Sequence, residues 1–94
     1  MKSYLTRGFR RRFSELPAEV QERARQAYRL FCASPRHPSL QFKQVHPSQP
    51  IMSVRIGLGH RAVGVRRGDA IYWYWVGSHA DYDRLLSQYS RTGS

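Results

Sequence analysis

The run Ile71-Tyr72-Trp73-Tyr74-Trp75-Val76 constrains this chain more than any other segment, because it is apolar or aromatic on both of the faces that a strand presents. Such a run belongs inside a sheet, covered by helices on one side and in part on the other. It predicts that Trp73 and Trp75 share one face and Tyr72 and Tyr74 the other, so that one pair packs in the core and the other is free to stack on nucleic-acid bases.

The segments before it divide by period. Phe9, Phe13 and Leu16 recur at helical spacing and leave Arg10, Arg11 and Arg12 off the apolar stripe. Leu16-Pro17 ends that helix, and Pro17 suits the first turn of another, whose early Glu19 and Glu22 match the helix dipole. Val20, Ala24, Ala27, Tyr28 and Phe31 form its buried face, and Pro35 and Pro38 close the helical hairpin. From Ser39 the period becomes two: Leu40 and Phe42 alternate with Gln41 and Lys43, then Met52, Val54 and Ile56 with Ser53 and Arg55. Val63 and Val65 continue the pattern, Pro47 to Pro50 form a loop, and Arg67-Gly68-Asp69 is a turn. Residues 2 to 6 can form a further short strand. Ser78 caps a last helix with Asp81 at its third position and a stripe of Tyr82, Leu85, Leu86 and Tyr89.

These elements predict one α+β domain over residues 1–94: a helical hairpin on one face of an antiparallel sheet of about four strands, with a C-terminal helix near its end. Residues 89–94 have the composition of a frayed tail. Ninety-four residues support one core, so any site lies on the surface of that core.

Sixteen Lys and Arg against six Asp and Glu leave a formal charge of +10, which attracts polyanions: nucleic acid, an RNA-rich assembly or an acidic protein. The single Cys32 cannot form a disulfide within the chain, and four dispersed histidines have no metal-ligand spacing, so no metal or cofactor is expected. No apolar run approaches transmembrane length and neither export nor membrane insertion is signalled, so the expected setting is the cytoplasm.

Arg55 and Arg61 flank the Ile56-to-Gly59 turn. If that turn brings them into cross-strand register, both guanidiniums leave one face and can fork around a phosphate; the competing reading is of two solvated strand arginines. His60 points away from that face. His79 opens the last helix, where unpaired N–H groups favour an anion, or it is an exposed residue of the capping region. His37 and His46 read as loop residues. Tyr82 shares the apolar stripe, which favours core packing, although its hydroxyl can reach the sheet edge. Arg10, Arg11 and Arg12 read as an electrostatic surface for phosphate backbones.

The helical hairpin, the strand with Ser53-x-Arg55-Ile56 followed by His60-Arg61, and the ending Val76-Gly77-Ser78-His79-x-x-Tyr82 together resemble the RelE/ParE superfamily of small bacterial toxins. The resemblance implies a compact antiparallel sheet against two N-terminal helices. For the RelE branch it implies a metal-independent endoribonuclease that cuts mRNA in the ribosomal A site and is silenced by an antitoxin encoded beside it, here an acidic protein. It gives Arg61 and Arg55 the role of stabilising phosphate charge and sets His79 near the leaving group, with a weaker carry-over to Tyr82. Attack of a ribose 2′-OH on the adjacent phosphorus would then leave a cyclic phosphate and a free 5′-OH, and Lys43, Arg66 and Arg67 would add phosphate contacts. No acid stands on the candidate strands, so the general base is unassigned. The alternatives are a ParE-like inhibitor of DNA gyrase, whose branch generally lacks the histidine, and a non-catalytic basic RNA-binding domain.

Overall fold

A computed structural model gives the architecture; it describes residues 1–92 of the chain, with side chains through residue 89. Strand β1 (Lys2–Leu5) leads into helices α1 (Arg7–Ser14) and α2 (Ala18–Ala33), a 3₁₀ turn at Pro38–Leu40, strands β2 (Lys43–Gln44), β3 (Ile51–Ile56), β4 (His60–Arg67) and β5 (Ala70–Ser78), and helix α3 (His79–Thr92). The sheet order is β1-β5-β4-β3-β2. The neighbours β5-β4-β3-β2 are antiparallel, as expected, but β1 adds a fifth strand parallel to β5. A parallel pair needs a crossover, and α1 and α2 begin it on one face.

Thr6 starts α1 and ties it to the sheet, because its Oγ1 accepts from Phe9 N–H at 3.2 Å and donates to the Trp73 carbonyl at 2.9 Å. Phe9 and Phe13 face inward and Arg10, Arg11 and Arg12 remain exposed. At the break before Pro17, Gln21 Nε2 donates to the Phe13 and Leu16 carbonyls at 3.1 Å each, supplying donors that the helix end lacks. Phe9, Ala24, Phe31, Leu40, Val54, Ile56, Ala62, Ile71, Trp73 and Val76 are the buried core under this hairpin. Helix α3 lies across the opposite face, where Val63, Trp75 and Tyr82 are buried with Ile51, Leu85 and Leu86 packed around them.

The two tryptophans therefore do not share a face. The β4–β5 register shifts between Val63 and Gly64, so that Val63 opposes Trp75 while Gly64 opposes Trp73. The extra residue, Tyr74, is a bulge that reverses the alternation beyond it and sends Trp75 under α3. Gly64 permits the close approach: a Cβ there would lie 2.8 Å from the Trp73 ring and 2.9 Å from the Tyr72 carbonyl.

One further expectation is corrected. Leu40 and Gln41 are not strand: Pro38 opens a 3₁₀ turn, and Gln41 ends it with φ 46° and ψ 47°. Proline favours that turn and cannot serve a central strand. Helix α3 runs to Thr92, within the segment expected to be a tail, and the Tyr89 hydroxyl lies 2.7 Å from that of Tyr74. Residues 93 and 94 lie outside the described residues. Among the described residues no helix is long and apolar enough to cross a membrane.

Candidate functional site

Arg55 and Arg61 are cross-strand partners, so both leave the face that carries α3. The Gly57 turn makes this register, since φ +57° at Gly57 is accessible to glycine at little cost. The two arginines differ in surroundings. Arg61 is 5% exposed; its Nη1 donates to Gln41 Oε1 at 3.2 Å, and its Nη2 donates to the Gln41 carbonyl at 3.3 Å and to Ser53 Oγ at 3.1 Å. Its Cζ stands 5.1 Å from the centre of the Tyr82 ring, a cation–π contact. The buried Nε has no hydrogen-bond partner among the described residues. Burial lowers the Arg61 pKa; Tyr82 opposes the shift and the nearby Arg55 charge adds to it.

Arg55 is half-buried, and its Nε donates to the Gly57 carbonyl at 2.9 Å. It lines a cleft between α2 and the β3–β4 turn with Arg23, Gln26, Ser39 and Leu58. The Arg23 stem lies against Gly57, where an added Cβ would be 3.1 Å from Arg23 Cδ. Arg55 thus stands between the buried Arg61 and the exposed Arg23.

Tyr82 is 3% exposed, and its hydroxyl lies 3.0 Å from Ser53 Oγ. The favoured reading from its spacing, that of a core residue, describes its packing. Ser78 Oγ caps α3 by accepting from Asp81 N–H at 3.2 Å. His79 N–H donates to the Gly59 carbonyl at 2.8 Å, so that donor is not open to an anion. The exposed His79 ring is 5.8 Å from the Tyr82 ring, and its Nε2 is 3.8 Å from Asp83 Oδ1. The structure therefore brings Arg61, Tyr82 and His79 together at one end of the α3 face, with Arg61 and Tyr82 beneath the surface, and sets Arg55 beside Arg61 at the rim of the cleft toward α2.

The remaining basic residues divide between faces. Lys43 is exposed and opposes Ser53, on the α3 face. Arg12 reaches over the Trp75 ring at 5.0 Å, and Arg11 joins it beside Glu15 and Tyr74. Arg67 shares the α3 face by register, whereas Arg66 leaves the opposite face and donates through Nε to the Gly68 carbonyl at 3.3 Å. Arg10 lines an apolar groove between α1 and α2 with Arg25 and Arg29. His37 and His46 use Nδ1 to accept backbone N–H groups of their own loops. Among the described residues no three His, Cys, Asp or Glu side chains gather as metal ligands.

Four contributors were not singled out from the sequence. Ser53 carries the signal of a polar residue two before Arg55 on a strand, and Asp83 that of an acid one helical turn after His79. Gln41 and Arg23 carry none, because loop conformation and helix placement bring them to the site.

Known proteins share this fold. No curated protein matches the chain by sequence. Among solved structures, a chain of a RelB-RelE antitoxin-toxin complex from Methanococcus jannaschii superposes with a TM-score of 0.70 at 14% identity, covering 87% of this chain and 96% of that one. A YoeB/ParE toxin from Agrobacterium tumefaciens superposes with a TM-score of 0.64 at 18% identity, covering 84% of this chain and 99% of that one. The model of the ParE-like toxin domain family matches residues 18–84, from the start of α2 into α3 and across the candidate site. With that match spanning most of the sheet and the helices on both of its faces, the chain belongs to the family of ParE-like toxin domains.

Proposed function

We propose that this toxin domain is a metal-independent ribonuclease that cleaves mRNA on the ribosome and is held inactive by an acidic antitoxin protein in the cytoplasm. The observation that carries this reading is the cross-strand pairing of Arg55 with Arg61, and the Tyr82 ring that touches both the Arg61 guanidinium and the exposed His79 ring. Two positive charges there suit a phosphate whose negative charge rises as the 2′-OH attacks. Arg55 contacts the phosphate directly. Arg61 acts from beneath, through its field or by exchanging the Gln41 contacts for phosphate oxygens. His79 moves the proton at the nucleophile or the leaving oxygen, with Asp83 steadying the imidazolium. The +10 charge supports affinity for RNA and for an acidic antitoxin, and the M. jannaschii relative is in complex with an antitoxin.

A second reading, a gyrase-inhibiting toxin, draws support from the ParE-like family model and from the inward commitment of the Arg61 head group. Mapping mRNA 5′ ends after induced expression separates the two. The ribonuclease reading expects new ends with the wild type and their loss, on the order of 10²-fold, in Arg55→Ala and His79→Ala. Growth arrest with unchanged ends would instead establish the second reading. Arg55 and His79 are the positions to change, because neither is buried and their removal spares the core.

A further inference from the structure

The sheet face that carries α3 has a second end, at the β1–β5–β4 edge. There Tyr4 and Tyr72 are register partners on adjacent strands, and their rings stack with centroids 5.0 Å apart and planes inclined by 18°. Tyr4 is 45% exposed. It stands on an edge strand, so Tyr72 covers one face of its ring and, among the described residues, no strand lies beyond the other. In the adjoining cross-strand row, Ala70 lies between Lys2 and Arg67, and both cations are exposed. Strand spacing sets those two Cα atoms roughly 10 Å apart, with only a methyl group between them.

We propose that this edge is a second RNA-contacting surface, on which one unpaired base extends the Tyr72–Tyr4 stack while its phosphate lies between Lys2 and Arg67. Every base has an apolar face that an open tyrosine ring can hold without sequence preference, and two cations around a small residue leave room for one phosphate. A docking segment of acidic protein would use the cations but has no need of a continued ring stack. Val65 opposes Tyr72 on β4, four residues from Arg61, so the platform stands about 13 Å along the same face from the candidate site. A single strand of a few nucleotides reaches both. The proposal rests on RNA being the ligand of this toxin, and it fixes where the strand continues.

The test uses a short single-stranded 2′-O-methyl RNA containing 2-aminopurine, which lacks the nucleophilic hydroxyl and so reports binding without cleavage. Wild type and Tyr4→Phe should bind alike and quench the fluorophore. Tyr4→Leu should bind about fivefold or more weakly and quench less. Lys2→Ala with Arg67→Ala should weaken binding and flatten its salt dependence. If Tyr4→Leu does not fold, titration of the wild type should shift the Tyr4 ring protons upfield in NMR spectra. Equal binding and quenching by folded Tyr4→Leu, or unmoved Tyr4 ring protons, would overturn the proposal, as would Tyr4→Leu losing affinity only for an acidic protein partner. Cut mRNA without stacking at Tyr4 would sink this inference alone; stacking with uncut mRNA would sink only the cleavage reading.

Discussion

Arg61 and Tyr82 share one hydroxyl: Ser53 Oγ accepts from Arg61 Nη2 at 3.1 Å and lies 3.0 Å from the Tyr82 hydroxyl. A strand, its neighbour and the helix that crosses them therefore meet at a single buried atom. Ser53→Ala removes a partner from both side chains and should cost about 1–3 kcal/mol, which chemical denaturation measures. Each kcal/mol should lower the melting temperature by roughly 4–8 °C in a domain of this size. Unchanged stability would mean that the three groups do not depend on one another.

Arg61 itself can be separated from its charge. Arg61→Ala leaves a cavity beside Ser53 and Tyr82, whereas Arg61→Met keeps an unbranched stem and removes the buried cation. We expect Arg61→Met to be the more stable variant by about 1 kcal/mol or more while still losing RNA cleavage. Retained cleavage in a folded Arg61→Met protein would show that the charge takes no part.

Gln41 adopts φ 46°, the one positive φ at a non-glycine position among the described residues, and presents both its carbonyl and its side chain to Arg61. A β-branched residue meets this backbone with a penalty of roughly 1–2 kcal/mol, which glycine avoids. Gln41→Gly trades relief of that strain against one lost acceptor and should remain within about 1 kcal/mol of the wild type. Gln41→Val loses the acceptor and adds strain, so denaturation midpoints should rank wild type and Gln41→Gly above Gln41→Val.

Gly64→Ala should destabilise by about 1–3 kcal/mol, because its Cβ would meet the Trp73 ring and the Tyr72 backbone at the bulge. Gly59→Ala, with nothing within 4 Å of the added atom, should stay within about 0.5 kcal/mol. Thermal melts of the two variants provide the comparison.

Burial pushes the Tyr74 phenol well above its ordinary value, and its bond to Tyr89 adds to the shift. A folded-state pKa raised above the unfolded one gives stability that is complete below the unfolded value and is lost as pH rises through the folded value. Stability should therefore fall from about pH 10 upward, where tyrosines of the unfolded chain ionise. Tyr74→Phe should flatten that alkaline loss, read as denaturation midpoints against pH.

Periodicity made most of the fold legible. The helical spacing of Phe9 and Phe13 and the alternation of Val54 and Ile56 report which side of an element is buried, and burial of apolar surface dominates folding. The failures lie where local geometry departs from the regular period. One bulged residue at Tyr74 sends Trp75 to the face opposite Trp73, and a count of alternate residues does not register an insertion in the pairing. At Leu40 and Gln41 an alternating pattern coincides with a 3₁₀ turn that proline favours.

At the candidate site, the spacing of Arg55 and Arg61 about a glycine turn left two readings open, and the pairing of β3 with β4 decided for cross-strand register. The sequence alone determined the +10 charge, the helical and strand periods and the likeness to the toxin superfamily. Which arginine reaches solvent was decided by tertiary structure. Gln41 arrives from a turn twenty residues before Arg61 and Tyr82 from a helix beyond it, and together with Ser53 they enclose one guanidinium while Arg55 remains half-open. Desolvation and hydrogen-bond partners depend on segments distant in the chain, so no local pattern of residues encodes them.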